Sequence, residues 1–191
     1  MRTVYYRLAA AAILLATALL ASGCLTCEYK EYRLKLNDDG SGEGVIRYVN
    51  IMANVTSEDE SAEADFKELV SDYLNGTMIE EEYPEAIIRS KTLKEEDGVL
   101  VGEVEVEFSS LMAIKLYQYD EQSPIMHYIG SLNESYDASN GFFDEDMMPV
   151  IFWEKDARDL HFNTSVAGEP EPGDTTYISL LELYKENEGR L

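Results

Sequence analysis

Histidine, cysteine and basic side chains are scarce in this 191-residue chain, and each scarcity removes a class of function. His127 and His161 are the whole supply of imidazole for general-base chemistry or for nitrogen ligation of a metal. His161 alternates with Leu160 and Phe162 in a stretch that reads as a strand, which makes it a solvent-facing strand residue rather than a ligand. Fifteen Lys and Arg stand against 38 Asp and Glu. Nucleic-acid affinity comes largely from basic side chains neutralising phosphates, so DNA and RNA are excluded as partners. Cys24 and Cys27 are the only cysteines. A redox Cys-x-x-Cys needs a βα setting in which a helix N-terminus lowers the thiol pKa, and the sequence around them does not supply one. The fold must therefore be held by apolar burial without internal disulfides. Also missing are a Gly-x-Ser-x-Gly elbow, a His-Glu-x-x-His helix, a Gly-Lys phosphate loop and a dinucleotide glycine fingerprint. These absences favour a non-enzymatic protein, and no catalytic residue, metal ligand or cofactor is assigned.

A membrane-spanning run is lacking too. The uncharged, mostly apolar stretch from Leu8 to Leu20 has 13 residues, short of the roughly 20 a spanning helix needs. Arg2 and Arg7 precede it, and Leu20-Ala21-Ser22-Gly23-Cys24 closes it. Small residues at 21–23 let the chain lie extended in a peptidase groove, and the Cys24 thiol follows where a diacylglycerol can be attached. Residues 1–24 thus resemble the secretion signal of prokaryotic membrane lipoproteins, with Ala21 where that family most often has Leu. The resemblance implies a signal peptide over 1–23, a lipidated tether over 24–28 beginning at lipid-bearing Cys24, and one domain over 29–191. It also implies anchorage at a cell membrane or outer membrane on the extracytoplasmic side. Two or three acyl chains hold stably where one binds marginally. Cleavage before Cys24 leaves 168 residues with 38 acids against 13 bases, a formal charge of −25. Such a field suits solubility at a crowded surface and repels anionic headgroups.

Period-two patterns define hairpins. Tyr32, Leu34 and Leu36 alternate with charged residues, Asn37 to Gly42 interrupts, and Val45, Arg47, Val49 and Ile51 resume, which predicts a hairpin over 28–51. A second is predicted over 86–108 around Glu95-Glu96-Asp97-Gly98, with Leu100, Gly102, Val104, Val106 and Phe108 on the core face. A third is predicted from 150–153 and 160–166. Between them, Phe66, Leu69, Val70, Tyr73 and Leu74 carry helical spacing, with Ser57 and Glu60 as a capping box and Gly76 as a stop, predicting a helix over about 58–75. Tyr177, Leu180, Leu181 and Tyr184 predict a C-terminal helix capped by Asp174 or Thr175. The ambiguous stretch 109–119 is read as helix. The fold class expected is α+β: an antiparallel sheet built from β-hairpins with helices packed on one face.

The span 119–148, rich in Ser, Asn, Gly and acids, reads as long loops on that scaffold, where binding most often resides. Asp144, Glu145 and Asp146 beside Phe142 and Phe143 are its candidate carboxylates. Asp38, Asp39 and Glu43 sit among glycines but lack the alternating ligand spacing of a calcium loop, so they read as a hairpin turn. Asn-x-Ser/Thr triplets fall at Asn54, Asn75, Asn133 and Asn163. Tyrosines at 29, 32, 48, 73, 117, 119, 128 and 136 could line a surface for carbohydrate or peptide, but burial statistics favour many of them sitting at the sheet's rim or half-buried in its core. Three functions follow. The first is a lipid-anchored envelope protein with an interaction or structural role. The second is a ligand- or cation-binding lipoprotein using acidic loops, and the third is a carboxylate hydrolase.

Overall fold

A computed structural model describes residues 25–55, 61–130, 134–144, 148–167 and 176–191. The protein is α+β, with two antiparallel sheets of seven and four strands. Strands β1 (Leu25–Leu36) and β2 (Gly42–Asn54) form the first hairpin, and β3 (Ala86–Glu96) and β4 (Val99–Phe108) the second. Both were expected, and their turns explain themselves. At the first, Asp39 Oδ1 accepts from the Ser41 amide at 3.0 Å and the Ser41 hydroxyl at 2.6 Å. At the second, Glu96 pairs with Val99 across Asp97 and Gly98, which both take positive φ, +52° and +83°. That backbone twist matches the twist of the strands it joins.

The large sheet runs β3-β4-β2-β1-β10-β7, with β10 (Asp159–Ser165) against β1, β7 (Ser135–Ser139) at the far edge, and β11 (Tyr177–Ser179) beside the last residues of β2. The small sheet runs β5-β6-β9-β8, from Leu116–Tyr117, Ile125–Tyr128, Val150–Trp153 and Phe142–Asp144. The predicted third hairpin is therefore corrected. Both of its strands form, but β9 belongs to the small sheet and β10 to the large one. Ile151 and Trp153 face Leu160 and Phe162 across a shared core instead of pairing with them. The span 119–148, expected as loops, supplies β6, β7 and β8.

Two apolar clusters lie on one face of the large sheet. Tyr32, Leu34, Ile46, Val104, Val106 and Phe162 meet the small sheet through Leu116, Ile125, Ile151 and Trp153. Cys27, Ile51, Ala53 and Leu100 meet the helices through Phe66, Leu69, Leu180, Leu181 and Tyr184. In β2 the residues of these two clusters are even-numbered at Ile46 and odd-numbered at Ile51 and Ala53, and Asn50, at φ +55°, stands between the two phases.

Helix α1 covers Ala62–Glu68 and continues as a π-helix through Leu69–Leu74. Its cap is Ser61, whose Oγ accepts from the Ala64 amide at 3.2 Å, while the expected box at Ser57 and Glu60 lies outside the described residues. A short α2 (Met78–Glu82) follows, unpredicted because five residues show too little periodicity. Helix α3 (Leu181–Asn187) ends in a 3-10 turn, and Tyr177, expected inside it, pairs with Asn54 in β11 instead. The expected caps Asp174 and Thr175 lie outside the described residues. The stretch 109–119 resolves its ambiguity by division, into a 3-10 turn at Leu111–Ile114 and then β5. Residues 25–28, expected in the tether, form the first rungs of β1, with Leu25 opposite Ala53 and Cys27 opposite Ile51.

Candidate functional site

Between the two apolar clusters the large sheet and the helices do not close on each other. They leave a half-open cavity of about 520 Å³, within the range of roughly 300–1,000 Å³ in which small-molecule sites fall. Its sheet wall is Cys27, Lys30, Tyr48, Ile51, Gly102 and Val104, and its helix wall is Leu69, Tyr73, Leu74, Ile79 and Glu82. Leu25 and Thr26 reach it from the start of β1, Leu93 from β3, and Val166 from just beyond β10. Two local features make the space. Gly102 keeps the floor low, since a Cβ there would sit 3.0 Å from Ile51 Cδ1. The π stretch gives the helix wall its shape: the Asn75 amide donates back five residues to Val70 O at 3.0 Å. Such wide turns are rare and cluster at functional sites.

The cavity's charges are matched to one another. Lys30, with 14 % of its side chain exposed, donates to Glu134 Oε1 at 2.6 Å and lies 4.0 Å from Glu82 Oε1. Tyr48 donates to Glu82 Oε2 at 3.3 Å, and its ring lies 5.5 Å beneath the Lys30 ammonium. Burial works against the Lys30 ammonium, but Glu82 and Glu134 more than offset it and raise its pKa above the usual 10.5. Burial pushes the Glu82 carboxyl up, yet Lys30 and Lys115 overcome it and hold the pKa below 4.5. Lys91 closes a side of the cavity by donating to Gly76 O at 2.6 Å and to both Glu80 oxygens at 3.0 Å. The Cys27 thiol is pushed up to about 12, chiefly by burial, so it is neutral and poorly nucleophilic. One polar atom stands apart: Asn54 Oδ1 is buried with no hydrogen-bond partner among the described residues. The rest of the lining is mostly apolar, with Thr26, Tyr73, Thr92 and Tyr177 as its remaining hydroxyl-bearing residues.

The residues singled out in the sequence are dispersed. Cys24 lies outside the described residues, immediately before Leu25. Asp144 pairs with Val150 in β8, while Glu145 and Asp146 are outside the described residues. Phe143 stacks on Tyr136 at 4.0 Å and Phe142 is 68 % exposed. His161 is exposed as expected, and His127 is buried against Phe162 at 4.5 Å, its Nδ1 donating to Lys115 O at 3.1 Å. Among the described residues no group of three His, Cys, Asp or Glu could hold a metal ion, and no helix is long and apolar enough to cross a membrane. Of the Asn-x-Ser/Thr triplets, Asn54 lines the cavity, Asn163 pairs with Glu31 and Ala138 inside the sheet, and exposed Asn75 donates to Val70 O. Asn133 lies outside the described residues. Of the tyrosines, Tyr32 is buried, Tyr48 and Tyr73 line the cavity, and Tyr117, Tyr119 and Tyr128 are exposed.

A second surface emerges from the small sheet's register. Tyr117, Met126, Phe152 and Phe142 lie side by side across β5, β6, β9 and β8, on the face away from the core. Sequence periodicity missed both this row and the cavity, because each is assembled from segments far apart in the chain. Comparison with models of protein families, with curated proteins and with solved structures finds no match.

Proposed function

We propose that the protein is a lipid-anchored cell-envelope protein, held on the outer side of a membrane through Cys24, whose α+β domain binds a ligand or partner and catalyses no reaction. The cavity carries the binding part of this reading. It is mostly apolar, its charges are neutralised among themselves, and its ionisable groups hold shape rather than offer a free base or nucleophile. The signal-like residues 1–24 carry the anchor part, and β1 begins one residue after Cys24, so the domain would stand close against the membrane. The described acidic side chains give a cation-binding reading less support, since many are engaged by Lys or Arg: Arg47 alone contacts Glu31, Glu96 and Glu103.

The test is intact-mass spectrometry of the membrane fraction from cells expressing the full chain and its Cys24→Ala variant. A mature species beginning at Cys24 with added diacylglycerol mass, absent in the variant, is the expected result. Unmodified protein in both samples would overturn the anchor. A second reading, docking of a protein or glycan, is favoured by the aromatic row on the small sheet. In that case Phe142→Ala and Tyr117→Ala would abolish capture while leaving the thermal midpoint unchanged.

A further inference from the structure

The cavity reaches the very start of the described chain, and that position identifies its occupant. Leu25 and Thr26 line it, and Cys24 is covalently next to Leu25, one Cα step of about 3.8 Å away. Leu25 pairs with Ala53, so Asn54 is the next residue of β2 beyond that rung. Asn54 belongs to the cavity lining at this same end. Away from it run Leu69, Leu74, Ile79, Leu93 and Val104, and none of these can hydrogen-bond through its side chain.

We infer that one acyl chain of the lipid on Cys24 occupies this cavity. This rests on the anchor reading and goes beyond it. The apolar lining fits a hydrocarbon chain, which asks nothing of the Lys30, Glu82 and Glu134 group already paired among itself. Tethering favours this chain over loose lipid, because an attached ligand meets its site at a high effective concentration. A chain bound to the domain is removed from the bilayer, so the protein would hold the membrane through its remaining chain or chains. A single chain gives only marginal, reversible attachment, and the cavity would thereby set how firmly the protein stays on its membrane.

The experiment follows the chain directly. Cells producing the full-length protein are fed a fatty acid carrying a diazirine, their membranes are irradiated, and the purified protein is digested and sequenced by mass spectrometry. The expected product is the Cys24 peptide joined through one acyl chain to a peptide containing Leu69–Leu74 or Leu93. Its yield should fall several-fold in Leu93→Trp and in Val166→Trp, which fill the space from opposite walls, and should hold in Tyr119→Ala, exposed and outside the cavity lining. Lipidated protein whose chains cross-link only to bilayer lipid would overturn the inference. So would cavity peptides joined to a lipid not attached to Cys24, which would make the site one for free lipid. If intact mass shows no diacylglycerol on Cys24, the anchor reading itself fails and takes this inference with it, a result distinct from the other two.

Discussion

At the scale of single residues, the structure turns on a few buried polar groups whose partners come from distant segments. Lys30 is the clearest. Removing it would leave Glu134 without its cation in a partly desolvated site and Glu82 with Lys115 alone, a loss of about 3–5 kcal/mol for a buried ion pair broken on one side. Lys30→Met should show that loss in urea unfolding, and adding Glu134→Gln should recover part of it. His127 sets a pH dependence of known sign. Burial lowers its pKa below 6.5, so as pH falls below 6.5 the unfolded chain takes up a proton that the folded chain refuses. The stability it contributes is complete above pH 6.5 and is lost as pH drops from there through its lower folded value. Glu82 adds a second loss in the same direction at lower pH, full above 4.5 and declining as pH falls through its depressed folded value. His127→Phe should flatten the urea midpoint against pH in the upper window only. Its cost is about 1–3 kcal/mol at neutral pH, because Lys115 O loses its donor.

Among the secondary-structure elements, the hairpins were legible because their information is local. Alternation in β4 placed Leu100, Val104, Val106 and Phe108 on the core face, and all four are buried. The Asp97-Gly98 turn needs positive φ at both residues, so Gly98→Ala should destabilise by about 1 kcal/mol through backbone strain alone, a Cβ there meeting no atom within 4 Å. Ser61→Ala should cost a similar amount, about 1 kcal/mol, by uncapping α1. Chemical denaturation of each variant checks both. The errors were equally physical. Residues 150–153 and 160–166 have strand periodicity and a short connection, which is all a sequence shows of a hairpin, yet Trp153 belongs under Phe162, 5.6 Å between rings. Tyr177 shares helical spacing with Leu180, but its backbone completes the edge of β2 that β4 leaves free.

For the whole molecule, charge dominates. The chain carries a net −23, and like charges on a compact body repel until salt screens them. The thermal midpoint should therefore rise as NaCl increases from about 10 mM to about 0.5 M, over which the Debye length shrinks from roughly 30 Å to below 8 Å. A flat response would mean that ion pairs such as Arg47 with Glu31, lost to the same screening, weigh as much as the repulsion. The sequence by itself determined the fold class, the two leading hairpins and the position of the first helix, because alternation, helical spacing and turn chemistry are properties of neighbours in the chain. Tertiary structure alone decided that β9 and β10 lie in different sheets and that Lys30 meets Glu134 across 104 positions. It alone decided that residues from β1, β2, β3, β4, α1 and α2 enclose one cavity that reaches the first residues of β1. Those are meetings of segments distant in the chain, fixed by which apolar faces bury each other, and no local pattern encodes which distant face that will be.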